Sequence, residues 1–154
     1  MTLLITYLLL TLILSFMCSL LEATLLSSTS SYIESLDKKG YSPKTVDLAK
    51  DVKQNIDKSI SSILTLNTFA NTMGAAGVGA QAAIIFGSNW QAVIAFALTL
   101  MVLFISEIFP KTLGAIYWRK FIVPAVYIIS FMVKITYPYN LLASFITNAL
   151  QKGR

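Results

Sequence analysis

The stretch from Leu3 to Leu26 carries a single charged side chain, Glu22. About 20 apolar residues suffice for a helix to cross a bilayer core. A helix that is apolar all round has no face to offer water, so a run of this kind is solvated by lipid. Two further apolar stretches follow it. Over the whole chain 56% of residues are hydrophobic and only 12% are charged, whereas soluble domains carry about 25% charged residues. That leaves too little polar surface to cover a globule in water. The expected fold is an all-α membrane protein of three transmembrane helices, with juxtamembrane helices beside them.

The spans are expected at about 3–28, 59–86 and 90–112. The first has no basic n-region, and it exceeds the apolar core of a signal peptide, about 7–15 residues, so it reads as a retained span. The second is less apolar. It holds Asn67, Asn71 and several threonines, then a small-residue stretch from Gly74 to Ala80. Small residues four apart, such as Ala70 and Gly74, fit close helix packing, either at a dimer seam or within one subunit. These glycines make no phosphate loop, because no lysine follows at the required spacing. The third span meets Pro110, which removes a helical hydrogen bond and is expected to kink or break the helix there.

Two polar regions flank these spans. In 32–58, Gly40, Ser42 and Pro43 mark a turn, with Ser42 as a helix N-cap and Pro43 at the first helical position. Val46, Ala49, Val52 and Ile56 then recur at helical spacing. This short amphipathic helix is expected to lie on the membrane, pack under the spans or serve as a solvated connector. Residues 117–150 are apolar but interrupted by Pro124, Lys134, Pro138 and Asn140. They read as a juxtamembrane segment near the membrane surface, with a fourth span as the alternative.

Basic residues set the expected orientation. They fall in two blocks, Lys38 to Lys58 and Lys111 to Arg154. With three spans both blocks lie on one side, which the positive-inside rule assigns to the cytoplasm, leaving the N-terminus outside. A fourth span would split the second block. The net charge of +5 is therefore an orientation signal, and no nucleic-acid partner is expected. The tyrosines near Arg119, Lys120 and Lys134 read as an interfacial belt against membrane lipid. With no histidine and one cysteine, Cys18, a protein-built zinc or copper site is not expected.

Two glutamates inside the apolar spans need a reason, since a charge at bilayer depth costs about 2.5–3.5 kcal/mol on insertion scales. Counting along three helices places Glu22, Asn67, Asn71 and Glu107 at overlapping depth, with Ser19 and Ser106 beside them. The layer is built of carboxylate, amide and hydroxyl oxygens, the ligands that hard cations such as Mg²⁺ and Na⁺ prefer. The alternatives are that asparagines and serines bond across helices, that Glu107 pairs with Lys111 one turn on and Glu22 is protonated, or that one glutamate serves a proton or cationic-drug site.

Three segments resemble motifs of the CorC/cyclin M (CNNM) family. Ser19-Leu20-Leu21-Glu22-Ala23-Thr24-Leu25 is similar to the family's first-helix motif. Leu66-Asn67-Thr68-Phe69-Ala70-Asn71-Thr72 is similar to its second, with paired asparagines. Phe104-Ile105-Ser106-Glu107-Ile108-Phe109-Pro110-Lys111-Thr112 is similar to its third, with Ser106 where the family usually has glycine. The resemblance implies a homodimer in the cell membrane, expected to be a bacterial inner membrane, that exports Mg²⁺ with Na⁺ as the coupling ion. The implied metal site is Ser19, Asn67 and Glu107 with oxygen from position 106, and Glu22 and Asn71 are possible lining residues. It also implies a following pair of cystathionine-β-synthase (CBS) domains, and none lies within residues 1–154. The chain is thus expected to be either the membrane part of a longer protein or a stand-alone module. The alternative function is a non-transporting membrane module, an assembly partner or ion sensor. No nucleophile–base pair is visible, so an enzyme is not expected.

Overall fold

The computed structural model describes residues 2–153. Seven α-helices carry the chain: α1 (Thr2–Ser27), α2 (Ser30–Ser35), α3 (Pro43–Gln54), α4 (Ile56–Phe86), α5 (Gln91–Met101), α6 (Phe109–Ile135) and α7 (Tyr137–Lys152). A 3₁₀ turn, Ser88–Trp90, opens α5, and a π-helical segment, Val102–Ile108, joins α5 to α6 without interruption. No strand occurs among the described residues. Three helical stretches are long and apolar enough to cross a membrane: Thr2–Ser27, Ile56–Phe86 and the composite Ser88–Ile135.

Helix α1 sits between α4 on one side and the π segment and α6 on the other. Small residues let the backbones approach. On the α4 side, a Cβ added to Gly74 would lie 1.6 Å from the Thr11 hydroxyl oxygen, and one added to Gly77 would meet the Tyr7 ring at 2.9 Å. On the α6 side, a Cβ on Gly114 would lie 2.7 Å from the Ala23 Cβ. These contacts fix the registers. Helices α1 and α4 run antiparallel, with Thr11 opposite Gly74. Helix α1 and the α5–α6 unit run parallel, with residues 20–24 beside Gly114.

The packed core lies at the end of the bundle that carries α2 and α3. Cys18, Leu21 and Leu25 of α1 meet Ile63 of α4, Val46, Ala49 and Val52 of α3, and Ile122, Val126 and Ile129 of α6. Away from this end large apolar side chains point outward, among them Ile84 at 76% and Phe96 at 66% exposure. Such a surface suits lipid and not water.

Helix α3 begins as the sequence predicts. Ser42 accepts from the Thr45 amide at 3.3 Å and Pro43 takes the first helical position. Its apolar face packs under the spans, and Thr45 bonds the Tyr127 hydroxyl at 2.6 Å. Lys53, also on α3, reaches the open end of α1 and donates to the carbonyls of Leu25 at 3.1 Å and Ser28 at 2.7 Å. A cation there also complements the negative end of the helix dipole. Partial burial lowers the Lys53 pKa from its ordinary value.

The third span departs from expectation. Pro110 does not end it: the helix continues to Ile135. The change of pitch comes just before the proline. In an α-helix residue 110 would donate to the Ser106 carbonyl and its ring would press on that carbonyl. Widening to a π helix relaxes this demand, and the Phe109 amide bonds the Phe104 carbonyl instead. The break in direction comes later, at Tyr117, with φ −108° and ψ 23°. Beyond it α6 packs into the core through Ile122, Ala125, Val126, Ile129 and Met132, so this half of the expected interfacial segment is a structural helix of the bundle.

Helix α7 carries the interfacial character. Tyr137, Tyr139, Leu141, Leu142, Phe145, Ile146 and Leu150 are all exposed. Its attachment is polar: the Asn140 amide donates to Ser62 Oγ at 2.8 Å and to Thr136 Oγ1 at 3.2 Å.

Candidate functional site

The six residues that the sequence singles out lie on three elements. Ser19 and Glu22 are on α1, Asn67 and Asn71 on α4, and Ser106 and Glu107 on the π segment. The structure divides them into levels along the bundle.

Glu107 and Asn71 come together. Both line a cleft of about 230 Å³ between α4 and the α5–π unit, with Ala75, Leu98, Thr99, Val102 and Leu103. Asn71 donates from its amide nitrogen to the Asn67 Oδ1 at 3.4 Å, leaving its own Oδ1 buried without a partner among the described residues. Ser106 is fully buried and donates to the Leu12 carbonyl at 3.0 Å. That bond ties the π segment to α1. Ser106 also has a carbonyl whose α-helical donor is missing, because residue 110 is proline.

Glu22 belongs elsewhere. Its carboxylate lies 3.8 Å from the Lys111 ammonium. Lys111 thus pairs with Glu22 of another helix and not with Glu107, as the sequence spacing allowed. Glu22 is level with Gly114, about 10 Å further along than Glu107 at about 1.5 Å per residue. The overlapping depth inferred for the two glutamates does not hold. It rested on Lys111 marking the end of span three, and the helix runs on past it.

Ser19 lies between these levels, opposite Asn67 by the α1–α4 register. It is fully buried, and its hydroxyl has no partner among the described residues. Ser15 is in the same condition one turn nearer the N-terminus. Sequence reasoning passed over Ser15. The signal is present, however, since Thr11, Ser15 and Ser19 recur at i, i+4 and i+8 in a mostly apolar helix and so share one stripe.

The arrangement is a helix-lined layer of oxygens with one carboxylate facing a cleft and three buried oxygens, of Ser15, Ser19 and Asn71, without partners among the described residues. Buried polar atoms are ordinarily satisfied, and inside a membrane the penalty for leaving them open is several kcal/mol. Such a layer is suited to holding a hard cation through hydroxyl, amide and carboxylate oxygens.

The fold and this layer define a multi-pass α-helical membrane protein with polar groups buried at the junction of its spans. The chain belongs to the CNNM family: the model of the cyclin M transmembrane N-terminal domain matches residues 4–154. A curated relative, the UPF0053 protein sll1254 of Synechocystis sp., is 28% identical over 137 residues, which cover 89% of this chain and 39% of the relative. The chain therefore spans about two fifths of that relative's length.

Proposed function

We infer that this chain carries Mg²⁺ across the cell membrane, exporting it at the expense of Na⁺ entry, and that it works as a homodimer. The ion is held by Ser19, Asn67, Ser106 and Glu107, with Glu22 and Asn71 lining the path. The N-terminus faces outward and the lysine-rich end faces the cytoplasm, in accord with the positive-inside rule; the membrane is a bacterial inner membrane.

The observation that carries this reading is the cleft shared by Glu107 and Asn71, beside buried oxygens that lack partners. Mg²⁺ takes octahedral oxygen coordination, keeps several waters and is served by one or two carboxylates. Glu107 supplies the charge. Asn67, Ser19 and the oxygens of Ser106 supply neutral ligands, and water completes the shell. The homodimer rests on the resemblance of the three helix motifs to those of the family.

A second reading, a non-transporting module on the same scaffold, draws on the Ser106–Leu12 bond, which a glycine at that position would lack. Two measurements decide. Mg²⁺ binding to the purified protein should weaken at least tenfold in Glu107→Gln, and unchanged affinity removes Glu107 from the site. Mg²⁺ flux in proteoliposomes should follow protein content and vanish in the same variant. Binding without flux supports the non-transporting module.

A further inference from the structure

Helix α7 is turned the wrong way for a helix in water. Asn140, Ser144, Thr147 and Asn148 recur at i, i+4, i+7 and i+8 and so share one face. That polar face looks toward α4: with Asp57, Lys58 and Ser61 of α4 it lines a cleft of about 440 Å³. The opposite face carries Leu142, Phe145, Ile146 and Leu150, each more than half exposed. A helix in water buries its apolar face, so the medium around α7 is apolar.

A second cavity, a groove of about 960 Å³, runs along α4 and meets the polar cleft at Asp57 and Ser61, which line both. Ile60, Leu64, Thr68, Phe69 and Thr72 of α4 line it, with Tyr139 from the apolar side of α7. From Ile60 to Thr72 the groove extends about 18 Å at about 1.5 Å per residue. One leaflet of a hydrocarbon core about 30 Å thick is about 15 Å deep.

Depth fits the same occupant. Helix α4 has 31 residues, which gives a length of about 46 Å, and a bilayer with both headgroup regions measures about 40–45 Å. The first turn of α4, with Asp57 and Lys58, therefore lies at headgroup level, and Leu64 to Thr72 lies in the adjoining leaflet. The charges at the junction are open to a ligand. The Lys58 ammonium stands 5.6 Å from the centre of the Tyr137 ring. Among the described residues neither Lys58 nor Asp57 has an oppositely charged partner within 4 Å.

We propose that groove and cleft together hold one phospholipid with a primary-amine headgroup. An acyl chain lies along α4, the phosphodiester sits on Lys58, and the ammonium donates to Asp57. The occupant carries both signs because the junction does, and it carries a chain because the groove is apolar and one leaflet long. A purely anionic headgroup would face the Asp57 carboxylate unpaired, and a quaternary amine has no hydrogen to donate to it. The site is separate from the cleft of Glu107 and Asn71 and does not depend on an ion binding there.

The test titrates delipidated protein in detergent with three probes: phosphatidylethanolamine, phosphatidylcholine of the same chains, and chain-free glycerophosphoethanolamine. Native mass spectrometry counts the bound molecules. One phosphatidylethanolamine should bind per chain, more tightly than phosphatidylcholine. Lys58→Gln should weaken both lipids about three- to tenfold, the range of one net hydrogen bond, and Lys58→Arg should restore them. Asp57→Asn should weaken phosphatidylethanolamine alone. Thr68→Trp, which fills the groove, should weaken both lipids, whereas Lys44→Gln on the exposed start of α3 should change neither.

Unchanged lipid affinity in Lys58→Gln overturns the proposal. Equal affinity for the two lipids in the parent protein overturns the headgroup assignment. Glycerophosphoethanolamine that competes as well as the whole lipid shows a site for a soluble phosphodiester and overturns the lipid. Absence of saturable lipid binding overturns the proposal as well, and a disulfide between two copies of Thr68→Cys in a Cys18→Ala background, which lacks the native thiol, then assigns the groove to a second copy of this chain.

Discussion

Gly74→Ala gives the sharpest test of the register that assembles the oxygen layer. In an exposed helix the substitution would stabilise by about 0.8–1.0 kcal/mol, the difference in helix propensity. Here the new Cβ falls 1.6 Å from Thr11 Oγ1, 2.6 Å from its Cβ and 2.7 Å from its Cγ2. Rotating Thr11 does not relieve the contact, because its own Cβ is too close. Rotation would also break the 2.7 Å bond to the Tyr7 carbonyl. The helices must move apart, and overpacking of this kind costs about 1–3 kcal/mol. The net expectation is a loss of up to about 2 kcal/mol once propensity is subtracted. A double-mutant cycle separates the terms. Thr11→Ala should rescue Gly74→Ala only in part, since the Cβ remains, whereas Thr11→Gly should remove the clash, giving a coupling of about 1 kcal/mol or more between the positions. Thermal unfolding in detergent is the assay. If Gly74→Ala raises the unfolding temperature, propensity alone is at work, α1 does not pack on Gly74, and the placement of Ser19 opposite Asn67 is wrong.

Two further outcomes are expected. Lys53→Met removes two charge-assisted bonds to the end of α1 and should lower stability by about 1–2 kcal/mol, with faster amide exchange in the last turn of α1. Lys111→Gln leaves Glu22 without its partner and makes the bundle interior more negative. Because half-exposed pairs of this kind are worth about 0.2–1 kcal/mol, calorimetry should show Mg²⁺ binding tightened by no more than about fivefold, and weaker binding would show that Lys111 supports the site and does not compete with the ion.

Much of the fold is legible in the sequence because lipid demands uninterrupted apolar helices. Spans one and two declare themselves by length, and Ser42-Pro43 marks the start of α3 through a cap that needs only local geometry. The third span is harder to read. Pro110 predicts a lost hydrogen bond correctly, but the sequence does not say how the chain absorbs it. The π segment does so without ending the helix, so Lys111 does not mark the end of the span, and Glu107 is not level with Glu22. The pairing of Lys111 has the same origin: spacing allowed Glu107, whereas the parallel packing of α1 and α6 brings Glu22 within 3.8 Å. The segment after Tyr117 misleads because its prolines and Lys134 suggest irregular surface structure, yet the inward face of Ile122, Val126 and Ile129 is apolar at helical spacing. Ser15 is obscured for another reason. A serine is unremarkable in an apolar helix, and its place on the Thr11–Ser15–Ser19 stripe does not reveal that it fails to bond its own backbone as Thr6 and Thr11 do.

The continuous third span has a mechanical consequence. From Glu107 to Ile135 the chain runs in helix for about 40 Å at about 1.5 Å per residue, with one bend at Tyr117. The π segment sits at the pivot of this rod, and Thr136, Asn140 and Ser62 clamp its far end. If the π turn tightened to an α turn, a tilt of about 5° over the straight part from Glu107 to Tyr117, about 15 Å, would displace the bend by about 1.3 Å. The same rod would carry motion the other way, so that a load placed on α7 would be felt as torque at the carboxylate.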